Sequence, residues 1–194
     1  MLIALEGLDQ AGKETQGQLL RDGLRADGRR ARLESFPDYG TSIGEEIARA
    51  LQGERDYGPD VMQLLYVANR YERKADLQRW LEAGIIVICD RYVASSVAYG
   101  EAQDLDVEWL DGMQRFLPPP DVTFLLDIPP ELAATRKSTG LDRYERDLAL
   151  LTRVRASYLR QAEHESWIRV DGSRARAEVA DEIMSALDGR LAPA

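Results

Sequence analysis

The residues near the start of the chain have the spacing of a phosphate-binding loop. Gly7, Gly12 and Lys13 fit the pattern G-x-x-x-x-G-K-[ST], and they follow an apolar run that begins at Leu2. In such a loop, glycines allow backbone N–H groups to turn towards phosphate oxygens, and the lysine adds a positive charge. The N-terminus of the following helix adds a further partial positive charge. These residues predict a site for the phosphates of a nucleotide.

One position of this loop departs from the pattern. Glu14 stands where a serine or threonine hydroxyl normally contacts a magnesium ion, and Thr15 carries a hydroxyl one position later. A carboxylate beside a triphosphate is repelled by on the order of a few kcal/mol unless a cation lies between them. We hypothesise that Glu14 either approaches Mg²⁺ directly or swings out to pair with a basic neighbour. The residues expected to bind the nucleotide through this loop are Gly7, Leu8, Asp9, Gln10, Ala11, Gly12, Lys13, Glu14 and Thr15.

Two further charged candidates follow the most apolar stretch of the chain, residues 85–89. Asp90 closes this stretch, and a carboxylate there can hold Mg²⁺, usually through water; its alternative role is to cap the next turn. Arg91 follows immediately and could reach a phosphate. Both residues are therefore candidates for phosphate chemistry.

Tyr66 and Arg70 lie four residues apart in a helical pattern and so share one helix face. An aromatic ring beside a guanidinium could stack on a base and bind a phosphate. The alternative is a core tyrosine beside a surface arginine. We expect the neighbouring Asn69, Arg73 and Lys74 to be solvated.

The segment 136–147 is dense in charged residues. One interpretation is a solvated helix face with many ion pairs. The other is a mobile flap that brings arginines over a transferring phosphoryl group, where cations stabilise the charge on its oxygens. Closure of such a flap would also exclude water from the site.

The elements that must position these residues alternate between strand and helix. Such alternation predicts an α/β fold with a mostly parallel sheet covered on both faces. Strands are predicted from residue 2 and near 31–36, 85–89, 122–128 and 167–170. Helices are predicted at 13–27, 42–51, 60–83 and 107–116. Four more helices are predicted with one bound each: one begins near 95, a short one begins after 129, one ends at about 163, and the last begins after 173. Ligands bind at the carboxyl ends of such strands, which places Asp9, Phe36, Asp90, Arg91 and Asp171 along one edge.

Some of these helices carry more detailed signals. In the first helix, Leu19, Leu20 and Leu24 are expected on one side. Ser42 and Glu45 have the spacing of a capping box, which predicts a helix start at Ser42.

Composition limits the class of protein. The 194 residues carry a net charge of −9, which argues against nucleic acid as a partner and requires a local basic pocket for any phosphate ligand. The one cysteine, Cys89, is expected to be buried, and the one histidine, His164, to lie at the surface. With the first strand starting at Leu2 and no apolar run of membrane-spanning length, we expect a single cytoplasmic domain over 1–194 without a membrane partner.

Taken together, the motifs resemble the thymidylate kinase family, in the nucleoside-monophosphate kinase group of P-loop proteins. The matching pieces occur in the family's order and spacing over nearly the whole chain: Glu6-Gly7-Leu8-Asp9, Phe36-Pro37, Ala68-Asn69-Arg70, Asp90-Arg91-Tyr92 with Ser95-Ser96 and Tyr99, and Asp142-Arg143-Tyr144-Glu145. The resemblance implies a P-loop three-layer fold with a five-stranded parallel sheet of order 2-3-1-4-5, usually in a homodimer. It also implies transfer of a phosphoryl group from ATP to dTMP with Mg²⁺, which gives dTDP on the way to dTTP.

The resemblance further implies a binding site for dTMP. Tyr66 falls where the family stacks an aromatic ring on thymine, Arg70 where a guanidinium meets the base edge, and Tyr99 where a ring lies under the sugar and crowds a 2′-hydroxyl. The residues implied for dTMP are Asp9, Phe36, Pro37, Tyr39, Tyr66, Arg70, Arg91, Ser95, Ser96, Tyr99, Asp142 and Tyr144.

The same resemblance implies the catalytic and metal-binding residues. Arg91 matches the arginine that bridges donor and acceptor phosphates. Because Gln10 occupies the P-loop position that carries an arginine in some members, the LID at about 136–147 must supply that arginine. The implied catalytic residues are Lys13, Arg91, Arg136, Arg143 and Asp9. Arg136 is also implied to bind ATP, and Lys137 falls in the LID. The implied metal-binding residues are Glu14, Asp90, Asp9 and Glu145.

Two alternatives stay open at this point. The first keeps the chemistry but changes the acceptor to another deoxypyrimidine monophosphate such as dUMP. The second is a nucleotide-binding P-loop protein whose kinase activity is weak or lost because of Glu14.

Overall fold

A computed structural model describes residues 1–136, 144 and 147–191 of the chain, and these residues form five strands and nine helices. The strands are β1 (Leu2–Glu6), β2 (Ala31–Ser35), β3 (Ile86–Asp90), β4 (Val122–Asp127) and β5 (Trp167–Asp171). The helices are α1 (Lys13–Ala26), α2 (Ser42–Leu51), α3 (Pro59–Glu72), α4 (Lys74–Glu82), α5 (Val93–Glu101), α6 (Val107–Gln114), α7 (Pro130–Arg136), α8 (Leu148–Gln161) and α9 (Arg176–Asp188).

The five strands form one parallel sheet in the order β2-β3-β1-β4-β5, which confirms the predicted fold. Leu5 of β1 and Ser35 of β2 both lie opposite Asp90 of β3. Because all strands run in the same direction, the loops that follow β1, β2 and β3 meet at one edge of the sheet. The functional candidates of these loops are thereby brought together.

Hydrophobic burial on both faces explains why the central strands have few polar residues. In β1, Ile3 and Leu5 belong to one core cluster, whereas Leu2 and Ala4 belong to the cluster on the opposite face. This alternation is expected because successive side chains of a strand point to opposite faces of the sheet. A third, smaller cluster joins α2 to α3.

Three local predictions are wrong. The helix predicted over 60–83 is two helices, because the backbone turns at Arg73, whose guanidinium is 3.3 Å from both Glu34 and Asp76. The predicted capping box is wrong although α2 begins at Ser42 as predicted, since the capping residue is Thr41, whose hydroxyl accepts a hydrogen bond from the Gly44 N–H at 3.0 Å. Leu19 is 40% exposed, because it does not lie on the buried face of α1 that carries Leu20 and Leu24.

Two predictions about single residues are confirmed, since Cys89 is buried and His164 is exposed. Within the part of the chain that the structure describes, no helix has both the length and the apolar character to cross a membrane.

Candidate active site

The loop between β1 and α1 has the backbone conformation that its glycines predict. Gly7 has φ +139° and Gly12 has φ +95°, both in the region that favours glycine. A Cβ atom on Gly7 would lie 2.5 Å from the carbonyl oxygen of Leu126 on β4. The close approach of two backbones therefore requires glycine at this position.

Lys13 begins α1 and is buried beneath the loop. Its ammonium group donates a hydrogen bond to the carbonyl oxygen of Leu8 at 2.8 Å. Burial, followed by the charge of Arg91, lowers the pKa of Lys13 to about 8, against the opposing effect of Asp90, Asp9 and Glu6. The ammonium is held with little solvation and is available to an anion that enters the loop.

Arg91 and Asp9 form an ion pair at the junction of the loops that follow β1 and β3. An Arg91 Nη2 group donates to the Asp9 carboxylate at 2.7 Å, and the Tyr99 hydroxyl donates to its other oxygen at 3.0 Å. Burial acts to raise the pKa of Asp9, but the charges of Arg91 and Lys13 outweigh it and hold that pKa far below its usual value. Asp9 therefore stays ionised between two cations.

Arg91 is also held by a network of hydrogen bonds around the buried Glu6. The Glu6 carboxylate accepts hydrogen bonds from the Ser95 hydroxyl at 2.6 Å and the Tyr158 hydroxyl at 3.0 Å. Arg91 Nη1 donates to both of these hydroxyls at 3.2 Å. The backbone of Arg91 itself has φ +62°, a conformation that non-glycine residues rarely adopt. The fold thus fixes both the backbone and the side chain of this arginine.

A pocket opens beside Arg91, and we call it the inner pocket. Its lining residues are Asp9, Phe36, Pro37, Tyr39, Leu51, Gln63, Tyr66, Arg70, Arg91, Ser95, Ser96, Tyr99 and Tyr144. Every described residue that the family resemblance implied for dTMP lies in this lining. Tyr144 is buried there and packs edge-on against Tyr99, with ring centroids 5.7 Å apart.

Arg70 is a buried residue of the inner pocket, so the alternative of a surface arginine is wrong. Its Nη1 group donates to the Ser96 hydroxyl at 2.7 Å and to the Gln114 side-chain oxygen at 3.2 Å. Burial lowers the pKa of Arg70. Gln114 of α6 fixes Arg70 and was not found from the sequence, because nothing in the local pattern of α6 marks it.

Asn69 is fully buried, so the expectation that it is solvated is wrong. Its side-chain oxygen accepts a hydrogen bond from the Asp38 N–H at 2.7 Å, and its nitrogen donates to the Thr41 hydroxyl at 2.9 Å. These bonds hold the loop that follows β2. Asn69 therefore positions Phe36, Pro37 and Tyr39 in the wall of the pocket.

A larger cavity lies over the phosphate-binding loop, and we call it the P-loop cavity. It is lined by Asp9, Gln10, Ala11, Gly12, Lys13, Glu14, Thr15, Gln16, Ser35, Phe36, Pro37, Tyr39, Asp90, Arg91, Arg136, Gly172, Arg174, Arg176 and Val179. Five of these residues are basic and three are acidic, so the lining carries a formal charge of +2. The fold thus supplies the local basic pocket that a phosphate ligand needs on a chain of net charge −9.

Arg136 ends α7 at the mouth of the P-loop cavity. It donates to the carbonyl oxygens of Gln10 at 3.0 Å and Gly172 at 2.9 Å, and so joins the phosphate-binding loop to the turn after β5. Arg174 of this turn and Arg176, the first residue of α9, also line the cavity, although sequence reasoning missed them. Asp171 ends β5 at the predicted edge but lies outside the linings of both cavities, and its carboxylate accepts a hydrogen bond from the Ser173 N–H at 2.9 Å. The other LID predictions, at Lys137, Asp142, Arg143 and Glu145, lie outside the described residues.

Glu14 is exposed at the start of α1, and its carboxylate accepts a hydrogen bond from the Gln18 amide at 3.2 Å. Gln18 is neutral, so the partner is not the basic neighbour of our hypothesis. Asp90 is partly buried and, like Glu14, lines the P-loop cavity. Among the described residues, no three or more His, Cys, Asp or Glu side chains are grouped to hold a metal ion.

The two cavities meet at Arg91 and Asp9. Five residues line both of them: Asp9, Phe36, Pro37, Tyr39 and Arg91. A phosphate bound at Lys13 and a second anionic molecule in the inner pocket would therefore approach each other beside the Arg91 guanidinium. Such an arrangement stabilises the charge that spreads over the oxygens of a transferring phosphoryl group.

The sheet order, the phosphate-binding loop and the adjoining inner pocket define a P-loop protein of the nucleoside-monophosphate kinase fold. The family model described as thymidylate kinase matches residues 5–183 of the chain. The chain therefore belongs to the thymidylate kinase family.

Individual relatives give the same result. The thymidylate kinase of Schizosaccharomyces pombe is 41% identical over 145 residues, which cover 75% of this chain and 69% of the relative. The human thymidylate kinase is 34% identical over 184 residues, or 94% of this chain and 87% of the relative. The solved structure of thymidylate kinase from Candida albicans superimposes with a TM-score of 0.88 at 28% identity, covering 97% of this chain and 91% of that one.

Proposed function

We propose that the protein transfers the γ-phosphoryl group of ATP to dTMP, which gives ADP and dTDP. The observation that carries this proposal is the meeting of the P-loop cavity and the inner pocket at Arg91 and Asp9. The relatives named thymidylate kinase support the identity of the two nucleotides. ATP takes the P-loop cavity, and dTMP takes the inner pocket.

The inner pocket is suited to a deoxypyrimidine monophosphate. Its lining combines several aromatic rings with a few polar and charged side chains, as small-ligand sites usually do. Tyr66 offers a ring for stacking, and the Arg70 guanidinium is held next to it by Ser96. Tyr99 lies at the other end, with its hydroxyl on Asp9 beside Arg91. The base therefore faces Tyr66 and Arg70, and the phosphate faces Arg91.

The chemistry requires positioning and charge neutralisation and no covalent intermediate. The acceptor phosphate oxygen is already anionic at pH 7, so a strong general base is not needed. Lys13, Arg91 and Arg136, all in the lining of the P-loop cavity, supply positive charge around the donor phosphates. Arg143, outside the described residues, is proposed as a further cation.

Mg²⁺ fits this site as the partner of ATP. It usually binds through one or two carboxylates together with phosphate oxygens and water, so a larger cluster of acidic side chains is not required. Asp90 and Glu14 line the P-loop cavity and would hold the ion with the nucleotide phosphates, whereas Asp9 is engaged with Arg91. The ion would neutralise charge on the β- and γ-phosphates.

Replacing Glu14 with serine tests its metal role. We expect Glu14→Ser to raise several-fold the Mg²⁺ concentration that gives half-maximal activity, because a neutral hydroxyl is a weaker ligand than a carboxylate. The measurement is a Mg²⁺ titration of ADP release at saturating ATP and dTMP, with Gln18→Ala as the control that removes only the hydrogen-bond partner of Glu14. An unchanged titration curve would show that Glu14 has no metal role.

A comparison of acceptors tests the function itself. We expect kcat/KM to be highest for dTMP and lower for dUMP, dCMP and the ribose form of TMP, the last because Tyr99 crowds a 2′-hydroxyl. Steady-state ADP release at fixed Mg²⁺ and ATP measures all four. A preference for dUMP would favour the alternative acceptor. Binding of ATP without turnover of any acceptor would favour a nucleotide-binding protein without kinase activity.

The family resemblance also supports a homodimer in the cytoplasm as part of the proposal. Light scattering of the purified protein would test the dimer, with a monomeric mass as the contrary result.

A further inference from the structure

Gln63 is a buried amide in the inner pocket that the described protein leaves without hydrogen bonds. The residue is 1% exposed and lies in the pocket lining. Neither its side-chain nitrogen nor its oxygen has a hydrogen-bond partner among the described residues. Buried polar groups nearly always have partners, because losing water without replacement costs free energy. An unpartnered amide at a pocket wall therefore indicates a group that a ligand completes.

Apolar side chains lie near Gln63 along α3 and in the inner pocket. The part of α2 that packs on α3 presents the apolar residues Ile47, Ala50 and Leu51, which cluster with Met62. These side chains offer neither a donor nor an acceptor to the amide. Leu51 lines the inner pocket together with Gln63.

The position of Gln63 on α3 relates it to the residues that face the base. Tyr66 follows three residues later and Arg70 seven residues later, so all three share one helix face and line the same pocket. Tyr66 lies between the other two residues in the sequence of α3. Arg70 Nε is likewise buried without a partner among the described residues. A flat ring against Tyr66 would thus have open hydrogen-bonding groups at two ends.

A pyrimidine dione matches these two groups. It carries carbonyl oxygens at positions 2 and 4, on either side of a ring N–H, and a primary amide can donate to one carbonyl while its oxygen accepts from the N–H. We propose that Gln63 determines acceptor specificity by hydrogen bonding the carbonyl edge of the base that faces away from Arg70. This inference rests on the proposed function, since it assigns dTMP to the inner pocket.

The test replaces Gln63 with methionine, which has a similar volume and removes both polar atoms. Gln161→Met is the matched control, because it removes a partly buried amide from α8 outside both cavities. We expect Gln63→Met to raise the calorimetric Kd and the KM for dTMP about tenfold with little change in kcat, and the control to match the parent.

Sulfur-substituted acceptors show whether the effect belongs to one atom of the base. Sulfur accepts hydrogen bonds more weakly than oxygen, so we expect the parent to bind both 2-thio-dTMP and 4-thio-dTMP less tightly than dTMP. In Gln63→Met, sensitivity to one of the two substitutions should disappear while sensitivity to the other remains. A general structural effect would not separate the two positions.

The outcomes distinguish this inference from the function on which it rests. If the parent phosphorylates dTMP while Gln63→Met binds dTMP as tightly as the parent and only gains thermal stability, Gln63 is a structural residue and the inference is wrong. Should Gln63→Met fail to fold, Gln63→Leu replaces it in the same titrations. If the parent neither binds nor phosphorylates dTMP, the proposed function fails, and the inference fails with it.

Discussion

Replacing Arg91 with alanine is expected to lower kcat for dTMP phosphorylation by about a thousandfold. The guanidinium lies where the two cavities meet, and it is the basic residue shared by both linings. As the phosphoryl group leaves ADP, negative charge spreads over its oxygens, and a fixed cation stabilises that state more than the bound substrates. The loss should therefore fall mainly on kcat rather than on KM.

The preorganisation of Arg91 is the reason to expect so large an effect. Asp9, Ser95, Tyr99 and Tyr158 all accept hydrogen bonds from its guanidinium. These bonds fix the charge before the substrates arrive, so the reaction does not have to reorganise it. Arg91→Lys keeps the charge but loses the forked geometry, and we expect it to recover only part of the rate.

Two measurements separate a catalytic effect from damage to the fold. The Tm of Arg91→Ala should fall by only a few degrees. The Asp9 carboxylate would still accept the hydrogen bond from the Tyr99 hydroxyl and would still be stabilised by the nearby charge of Lys13. Tyr158→Phe is the matched control, since it removes the hydrogen bonds of the Tyr158 hydroxyl with Arg91 and Glu6 and leaves the cation in place. Turnover near that of the parent in Arg91→Ala would contradict the role assigned to this residue.

The sequence predicts those features of the site that depend on neighbouring residues. The phosphate-binding loop is such a feature. Its backbone conformation depends on Gly7, Gly12 and Lys13, which lie close together in the sequence, so their spacing is enough to predict it. The parallel sheet follows from the alternation of strands and helices, although its order, 2-3-1-4-5, came from the family resemblance. The meeting of Asp9 and Arg91 follows from the sheet, since both residues lie just beyond adjacent parallel strands.

What the sequence misses depends on contacts between distant segments. Tyr158 supports Arg91 across 67 positions, and Gln114 supports Arg70 across 44, yet neither has a local pattern that marks it. Gln63 resembles any polar helix residue until its burial is known. The break at Arg73 is hidden for the same reason, because the ion pair to Glu34 on β2 that accompanies it is a tertiary contact.

The second large effect is expected at Lys13, whose replacement by alanine should lower kcat/KM for ATP by about a hundredfold to a thousandfold. Among the described residues, its ammonium has a single hydrogen-bond partner, the carbonyl oxygen of Leu8 at 2.8 Å. A triphosphate in the P-loop cavity would offer a far stronger partner. Lys13→Met is the control for packing, because it keeps the length of the side chain and removes the charge.

The pH dependence of ATP binding gives an independent check on Lys13. Burial and the charge of Arg91 lower its pKa to about 8 in the free protein, so the ammonium is largely protonated below pH 8 and loses its proton above it. Bound phosphates favour the charged form and raise that pKa, so binding above pH 8 must take up a proton. We expect the Kd for ATP to be nearly constant from pH 7 to about 7.5 and to rise by up to about tenfold per pH unit above 8.

Calorimetric titrations of ATP between pH 7 and 9.5 measure this dependence. In Lys13→Met the rise above pH 8 should disappear, because the group that titrates is absent, and the Kd should be high at every pH. Asp9 cannot produce the same profile, since its pKa lies far below this range. A Kd that rises equally in the parent and in Lys13→Met would assign the titration to another group and would contradict the placement of the ATP phosphates at Lys13.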